Sequence, residues 1–193
     1  IPLIGGPANV QLYLYAHWEQ TAKAFYEKNH SELAKAAIGI TTDFVLGRGI
    51  SWKIGNPKVE QIWQEFWDRN KMEQRIRTLC EDLSWQGELL VHKEERLKGY
   101  VTVRSLHPST ILEIVTEPSD IEEVFFYHCS FPTQYQLPYT TFKDQHLNIA
   151  LSRYVITQYP ANEVYHIKLN VSASEKWGRS DYYAALGTLK RHR

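Results

Sequence analysis

The chain has 193 residues, 43% of them apolar and 23% charged, which suits a globular domain able to bury a core without disulfide or metal staples. Lys plus Arg and Asp plus Glu stand at 22 each, a balance that excludes an overall field holding the protein on nucleic acid or on an anionic membrane. No stretch approaches the roughly 20 apolar residues of a membrane span, and the start IPLIGGPANV lacks the basic flank and apolar run of a signal peptide.

Residues 1–12, rich in Pro and Gly, read as an extended leader. Starting at Ile rather than Met, the chain is expected to be a trimmed piece of something longer. From Tyr13 to Gly87 the signal is helical. Ser31 is the expected N-cap of a helix carrying Leu33, Ala34, Ala37, Ile38, Phe44 and Val45, and Gly47 and Gly49 stop it. Ile50 to Ile54 alternates as a short strand would. Asn56-Pro57 then supplies a cap and a first-turn proline ahead of Val59, Ile62, Trp63, Phe66 and Trp67, which share one helical face. A further helix puts Met72, Ile76, Leu79, Cys80 and Leu83 on one stripe and ends near Gly87.

Beyond Gly87 the apolar period becomes two, giving a β-rich stretch over residues 88–170. Leu89–His92 and Tyr100–Leu106 flank a charged turn over 93–99. Ile111–Val115 and Val124–Phe131 flank Pro118-Ser119-Asp120, and Arg153–Gln158 and Val164–Leu169 flank Pro160-Ala161-Asn162, so three hairpins are expected. Residues 180–193 read as the start of a C-terminal helix. Helices first and strands after make a single α+β domain, its N-terminal helices packed on a mainly antiparallel sheet.

Candidate chemistry thins out on inspection. Gly178-Arg179-Ser180 has the beginning of a nucleophile elbow, but Tyr182 stands where the second glycine belongs. Ser180 reads instead as a helix cap accepting from the Tyr183 N–H, with Asp181 at the positive end of the helix dipole. His166, in an alternating strand, reads as a hydrogen-bonded structural histidine. The eight histidines are scattered, and His128 and Cys129 point to opposite faces of a strand, so neither a catalytic set, a metal site nor a cofactor site is expected. Gly47-Arg48-Gly49 follows a helix rather than a strand, unlike a dinucleotide-binding turn. Asn170-Val171-Ser172 matches the glycosylation pattern without a secretion signal beside it. Cys80 and Cys129 lie in apolar surroundings as buried thiols would, with one disulfide as the alternative.

Two charge asymmetries remain. Glu113, Glu117, Asp120, Glu122 and Glu123 form an acidic run, whereas residues 168–193 are basic and include Arg179, Lys190, Arg191 and Arg193. These four are the candidate DNA-facing positions, and a nucleic-acid-binding module is the reading they suggest if taken alone. A hydrolase using His166 and Ser180 is the second rival.

The order of segments adds a further pointer. AKAAIGITTDFVLGRGISWKI leads to WQEFWDRNKMEQRIRTLCEDLSWQGELLV, then YVTVRSLHPSTILEI, YPANEVYHIKLN and WGRSDYYAAL. This series, from about His30 onward, resembles the wing region of the portal proteins of tailed bacteriophages, the head-to-tail connectors. The matching positions are Gly47 and Gly49, Leu106 with Pro108, Pro160, Glu163, Val164 and His166, and Gly178 with Ser180.

The resemblance implies fold-determining roles for these residues and no enzymatic activity. It implies a structural subunit of a closed ring, of about twelve copies in the family, with two different faces per subunit. Double-stranded DNA passes through such a ring. Its other partners are the terminase large subunit and the capsid and head-tail connector proteins, and no membrane is involved. The location implied is the portal vertex of the virion, reached from the bacterial host cytoplasm during assembly. The stem, clip and crown of the family have no counterpart in these residues. Trp63, Trp67 and Trp177 are the candidate subunit contacts, since aromatic surface is enriched at interfaces.

Overall fold

A computed structural model describes residues 7–96, 99–132, 154–171 and 175–185. Four helices come first: α1 (Pro7–His30), α2 (Glu32–Leu46), α3 (Pro57–Arg69) and α4 (Met72–Gln86). Six strands follow: β1 (Glu88–Arg96), β2 (Tyr100–Leu106), β3 (Ile111–Glu117), β4 (Asp120–Pro132), β5 (Tyr154–Pro160) and β6 (Val164–Lys168). The class is α+β, with the helices N-terminal and every observed strand pairing antiparallel.

Local chemistry sets the helix ends. The Ser31 hydroxyl accepts from the Ala34 N–H and starts α2, while Asn56 accepts from the Lys58 N–H and Pro57 occupies the first turn of α3. Both devices satisfy amide donors that a helix start otherwise leaves orphaned. Pro7 opens α1 in the same way, because its fixed φ suits the first turn. The leader expected over residues 1–12 is therefore helical from Pro7, and the earlier part lies outside the described residues. No strand forms over Ile50–Ile54. Trp52 is instead drawn into an aromatic cluster, with ring centroids 5.9 Å from Trp63 and 4.7 Å from Trp67.

The strands form two three-stranded sheets, ordered β2-β1-β6 and β3-β4-β5, rather than one. The first two expected hairpins form, although β1 runs on through Lys93–Arg96, into the expected charged turn. The third does not. A short 3-10 turn over Ala161–Glu163 carries the chain from β5, paired with β4, to β6, paired with β1. Leu90, Leu106, Ile111, Ile114, Tyr127, Cys129 and Val164 interlock between the sheets, while Ala24, Ala34, Ile38, Trp85 and Tyr182 form the helical core. Cys80 and Cys129 are both free. Burial pushes the Cys129 thiol up to about 11, so it packs as a small apolar group.

Asn70, between α3 and α4, joins the helices to the first sheet. Its side-chain amide donates to Val101 O and accepts from the Val103 N–H, as a neighbouring strand would, and also donates to Phe66 O. The guanidinium of Arg75 adds a bond to Val103 O. One buried side chain thus closes the outer edge of β2, which would otherwise offer unpaired backbone groups to another chain. Asn70→Ala is expected to cost about 2 kcal/mol, because the Val101 and Val103 groups lose their partner. The midpoint of urea unfolding measures it, and a change below about 0.5 kcal/mol, the size typical of neutral surface sites, would contradict the clamp.

Candidate functional site: a buried His-Glu-His junction

A fully buried carboxylate that the sequence did not single out gathers contacts from three other elements. Glu88 opens β1 immediately after the α4 C-cap, and its side chain is 0% exposed. His166 Nε2, from β6, lies 3.0 Å from Glu88 Oε2, and the Gly178 N–H donates to the same oxygen at 3.1 Å. His17 Nε2, from α1, lies 3.0 Å from Oε1 but off the line of a hydrogen bond, so this contact is electrostatic rather than directional. The Trp177 ring stacks on His17 at 4.3 Å and covers the cluster.

Burial alone would raise the Glu88 carboxyl. The bond from His166 and the close approach of His17 outweigh it and hold the group down at about 2, so it stays ionised. Tyr127 faces the same charge across the sheets, and burial together with Glu88 pushes its phenol up to about 12.

The backbone around this carboxylate is as tight as the side chains. Gly87 caps α4 at φ 80°, a left-handed conformation, and its carbonyl accepts from the Leu169 N–H. A Cβ on Gly87 would lie 1.9 Å from the Arg179 carbonyl carbon, and one on Gly178 would lie 1.9 Å from Gly87 O. Two glycines thus let the 177–180 turn cross directly over the α4–β1 corner.

Around them, Ser84 Oγ donates to Asp181 Oδ2, Asn170 Nδ2 donates to Asp181 Oδ1, and the Arg179 N–H donates to Leu169 O. The Tyr182 hydroxyl donates to Ala24 O of α1. Ser180 does cap a turn, but its hydroxyl accepts from the Tyr182 N–H rather than that of Tyr183. Asp181 bonds to side chains of other elements instead of meeting a helix dipole. The described part of the expected C-terminal helix is a single 3-10 turn over Tyr183–Ala185, and 186–193 lie outside the described residues.

The remaining candidates divide. His166, Gly178 and Ser180 come together at this junction. Glu163 sits at the β5–β6 turn, 3.6 Å from His92, and Pro108 is buried beside Leu106 at the β2–β3 turn. No hydrogen bond joins Ser180 to His166, since each is committed elsewhere. Trp67 is 7% exposed, Trp63 is 37% exposed, and Trp177 packs against the core between the sheets. Arg179 pairs with Glu175 and lies over the Tyr183 ring. Lys190, Arg191 and Arg193 lie outside the described residues.

Sequence reasoning missed His17 and Glu88. A period-two signal was available for Glu88, because Glu88, Leu90 and His92 alternate onto one face of a strand that is otherwise apolar at its start. His17 had only helical spacing to Thr21 and Ala24, which are also buried, and such a stripe does not announce a partner.

Among the described residues no group of three or more His, Cys, Asp and Glu side chains is arranged to hold a metal ion, and no helix is long and apolar enough to cross a membrane. No known protein-family pattern matches the sequence, and no characterised protein aligns with it significantly.

Proposed function

We propose that this chain is a structural, non-enzymatic scaffold of the portal wing type, a segment of the ring through which a tailed phage threads its double-stranded DNA. The observation that carries the reading is the use made of His166, Gly178 and Ser180, three of the positions on which the resemblance rests. His166 and Gly178 bond to one enclosed carboxylate and so tie β6 and the 177–180 turn to β1, while Ser180 caps the turn that follows. Glu88, His17 and His166 have side chains 0%, 4% and 7% exposed, so the carboxylate is enclosed by protein groups. On this reading their role is to fix shape.

A second observation supports assembly. The side of α2 opposite its buried residues Ala34, Ile38 and Thr42 presents Leu33, Ile40 and Phe44 outward, with Phe44 93% exposed. A helix that is apolar on both sides belongs inside a larger packing arrangement. The acidic β3–β4 hairpin and the neutral total charge suit a wall along which a polyanion slides, because a strongly basic groove would hold DNA in place. On this reading the location is the virion portal vertex, and the partners are further copies of the chain, the terminase large subunit, and capsid and connector proteins.

Neither rival gains support. The hydrolase reading needs Ser180 and His166 to share a proton, and the nucleic-acid module needs a free Arg179.

Native mass spectrometry of the natural gene product carrying these residues is expected to show closed rings of about twelve subunits. Replacing Ile40 and Phe44 together by Glu is expected to break the rings into smaller species without moving the thermal midpoint of the subunit, since both side chains are exposed. A natural gene product that stays monomeric at assembly concentrations overturns the reading.

A further inference from the structure

Where the two sheets part, a half-open cavity of about 350 Å³ is lined by Ile114, Ile121, Val124 and Val171 on its apolar side and by His166, Lys168, Lys176 and Glu122 on its polar side. One boundary is the outer edge of β6, unpaired among the described residues. The Leu169 N–H bonds to Gly87 O, and Glu88 pairs with Lys168. In an antiparallel ladder that phase turns the main-chain groups of residues 165, 167 and 169 toward β1, and those of Val164, His166 and Lys168 away from it.

Among the described residues no strand pairs with that outer side of β6. Two other edges are blocked: Asn70 and Arg75 close β2, and Lys176 Nζ donates to Ile114 O on β3. β5 is also an edge strand, but none of its residues lines the cavity; among the described residues the unpaired edge that borders it is that of β6.

Among the described residues both cations of this cavity bond to main-chain oxygens. Lys168 Nζ donates to Glu175 O, and Lys176 donates to Ile114 O, both backbone carbonyls. Neither ammonium has a carboxylate within ion-pair distance among the described residues. An ammonium has three donors, so each retains capacity. Burial lowers the Lys176 pKa despite the pull of Glu113, the mark of a partly desolvated cation that a bound anion would stabilise.

We propose that this groove is a strand-addition site for an extended peptide segment of a partner protein, whose backbone pairs with the outer edge of β6 and whose acidic side chain, flanked by apolar residues, meets Lys168 and Lys176. Backbone pairing supplies the affinity, and the two lysines select the charge. Glu122 on the opposite rim disfavours a second acidic residue there, so a single carboxylate in an otherwise uncharged strand is the preferred ligand. The site is independent of whether the chain belongs to a ring.

The test uses the 193-residue chain and a capped, fluorescein-labelled pentapeptide of alternating threonine and valine with one central glutamate. Fluorescence anisotropy is expected to show saturable binding at least about tenfold tighter than for the same peptide with central lysine. Methylating the peptide nitrogens that face β6 is expected to remove the binding. Lys168→Glu, at an exposed position that leaves the fold intact, is expected to reverse the preference between glutamate and lysine. Absence of saturable binding, equal binding of both peptides, or undiminished binding of the methylated peptide would each overturn the proposal.

Discussion

Gly87→Ala and Gly178→Ala are expected to be the most damaging single substitutions in the described chain, each removing at least about 4 kcal/mol of stability, at the exceptional end of the range for point mutants. For Gly87 two causes add. Its φ of 80° strains any L side chain, and the new methyl would sit 1.9 Å from the Arg179 carbonyl carbon, an overlap that only movement of the 177–180 turn relieves. For Gly178 the methyl would meet Gly87 O at 1.9 Å and Glu88 Cβ at 2.9 Å. The same crossing is lost in both cases, so the double variant is expected to be little worse than either single one. Urea unfolding of the two single variants and the double checks this. A single alanine variant within about 1 kcal/mol of the parent, the middle of the ordinary range, would show that the crossing is not as tight as described.

This junction also marks the boundary of what sequence reasoning reaches. Ser31 and Asn56-Pro57 announce their helices because a cap acts on amides two or three residues away, and the information lies within one turn. The β1–β2 and β3–β4 hairpins are legible for the same reason, since each closes over a few residues. Pro160-Ala161-Asn162 looks identical to a hairpin turn, yet β5 and β6 join different sheets. What decides between the two outcomes is the match of β6 to β1, more than seventy residues earlier in the chain.

The site was half legible. His166 could be read as a hydrogen-bonded strand histidine, but its partner could not, because Glu88 and His17 are separated from it by 78 and 149 positions. The expected strand at Ile50–Ile54 failed through a related limit: Trp52 alternates as a strand residue would, and its burial against Trp63 and Trp67 on α3 offers more than an unpaired strand could.

The same separation explains why the junction, rather than either hydrophobic core, is the sensitive point of the fold. Each core is shared among many apolar contacts and can partly repack. Glu88 concentrates contacts from α1, β6 and the 177–178 turn on two oxygen atoms, and a buried charge has no comparable fallback.

Glu88→Ala is accordingly expected to cost about 3 to 5 kcal/mol, the range for removing one partner of a buried charged set, because His17 and His166 are left enclosed without their acceptor. The acid dependence of the parent gives a separate check. The Glu88 carboxyl titrates at about 2 in the folded chain against an ordinary value of 4.5. A carboxylate whose folded value is depressed contributes stability that is fully present above its unfolded value and is lost as the pH falls toward its folded one. That contribution is on the order of 3 kcal/mol, and it disappears between about pH 4.5 and pH 2.

Glu88→Gln keeps the shape and an acceptor but cannot titrate. The stability difference between the parent and this variant, from urea unfolding at pH 6 and at pH 2.5, is therefore expected to shrink by more than half, while the other carboxylates cancel in the comparison. A difference that stays constant across that interval would mean that the folded carboxyl does not hold its charge there. The His-Glu-His junction would then be held by shape rather than by an ion.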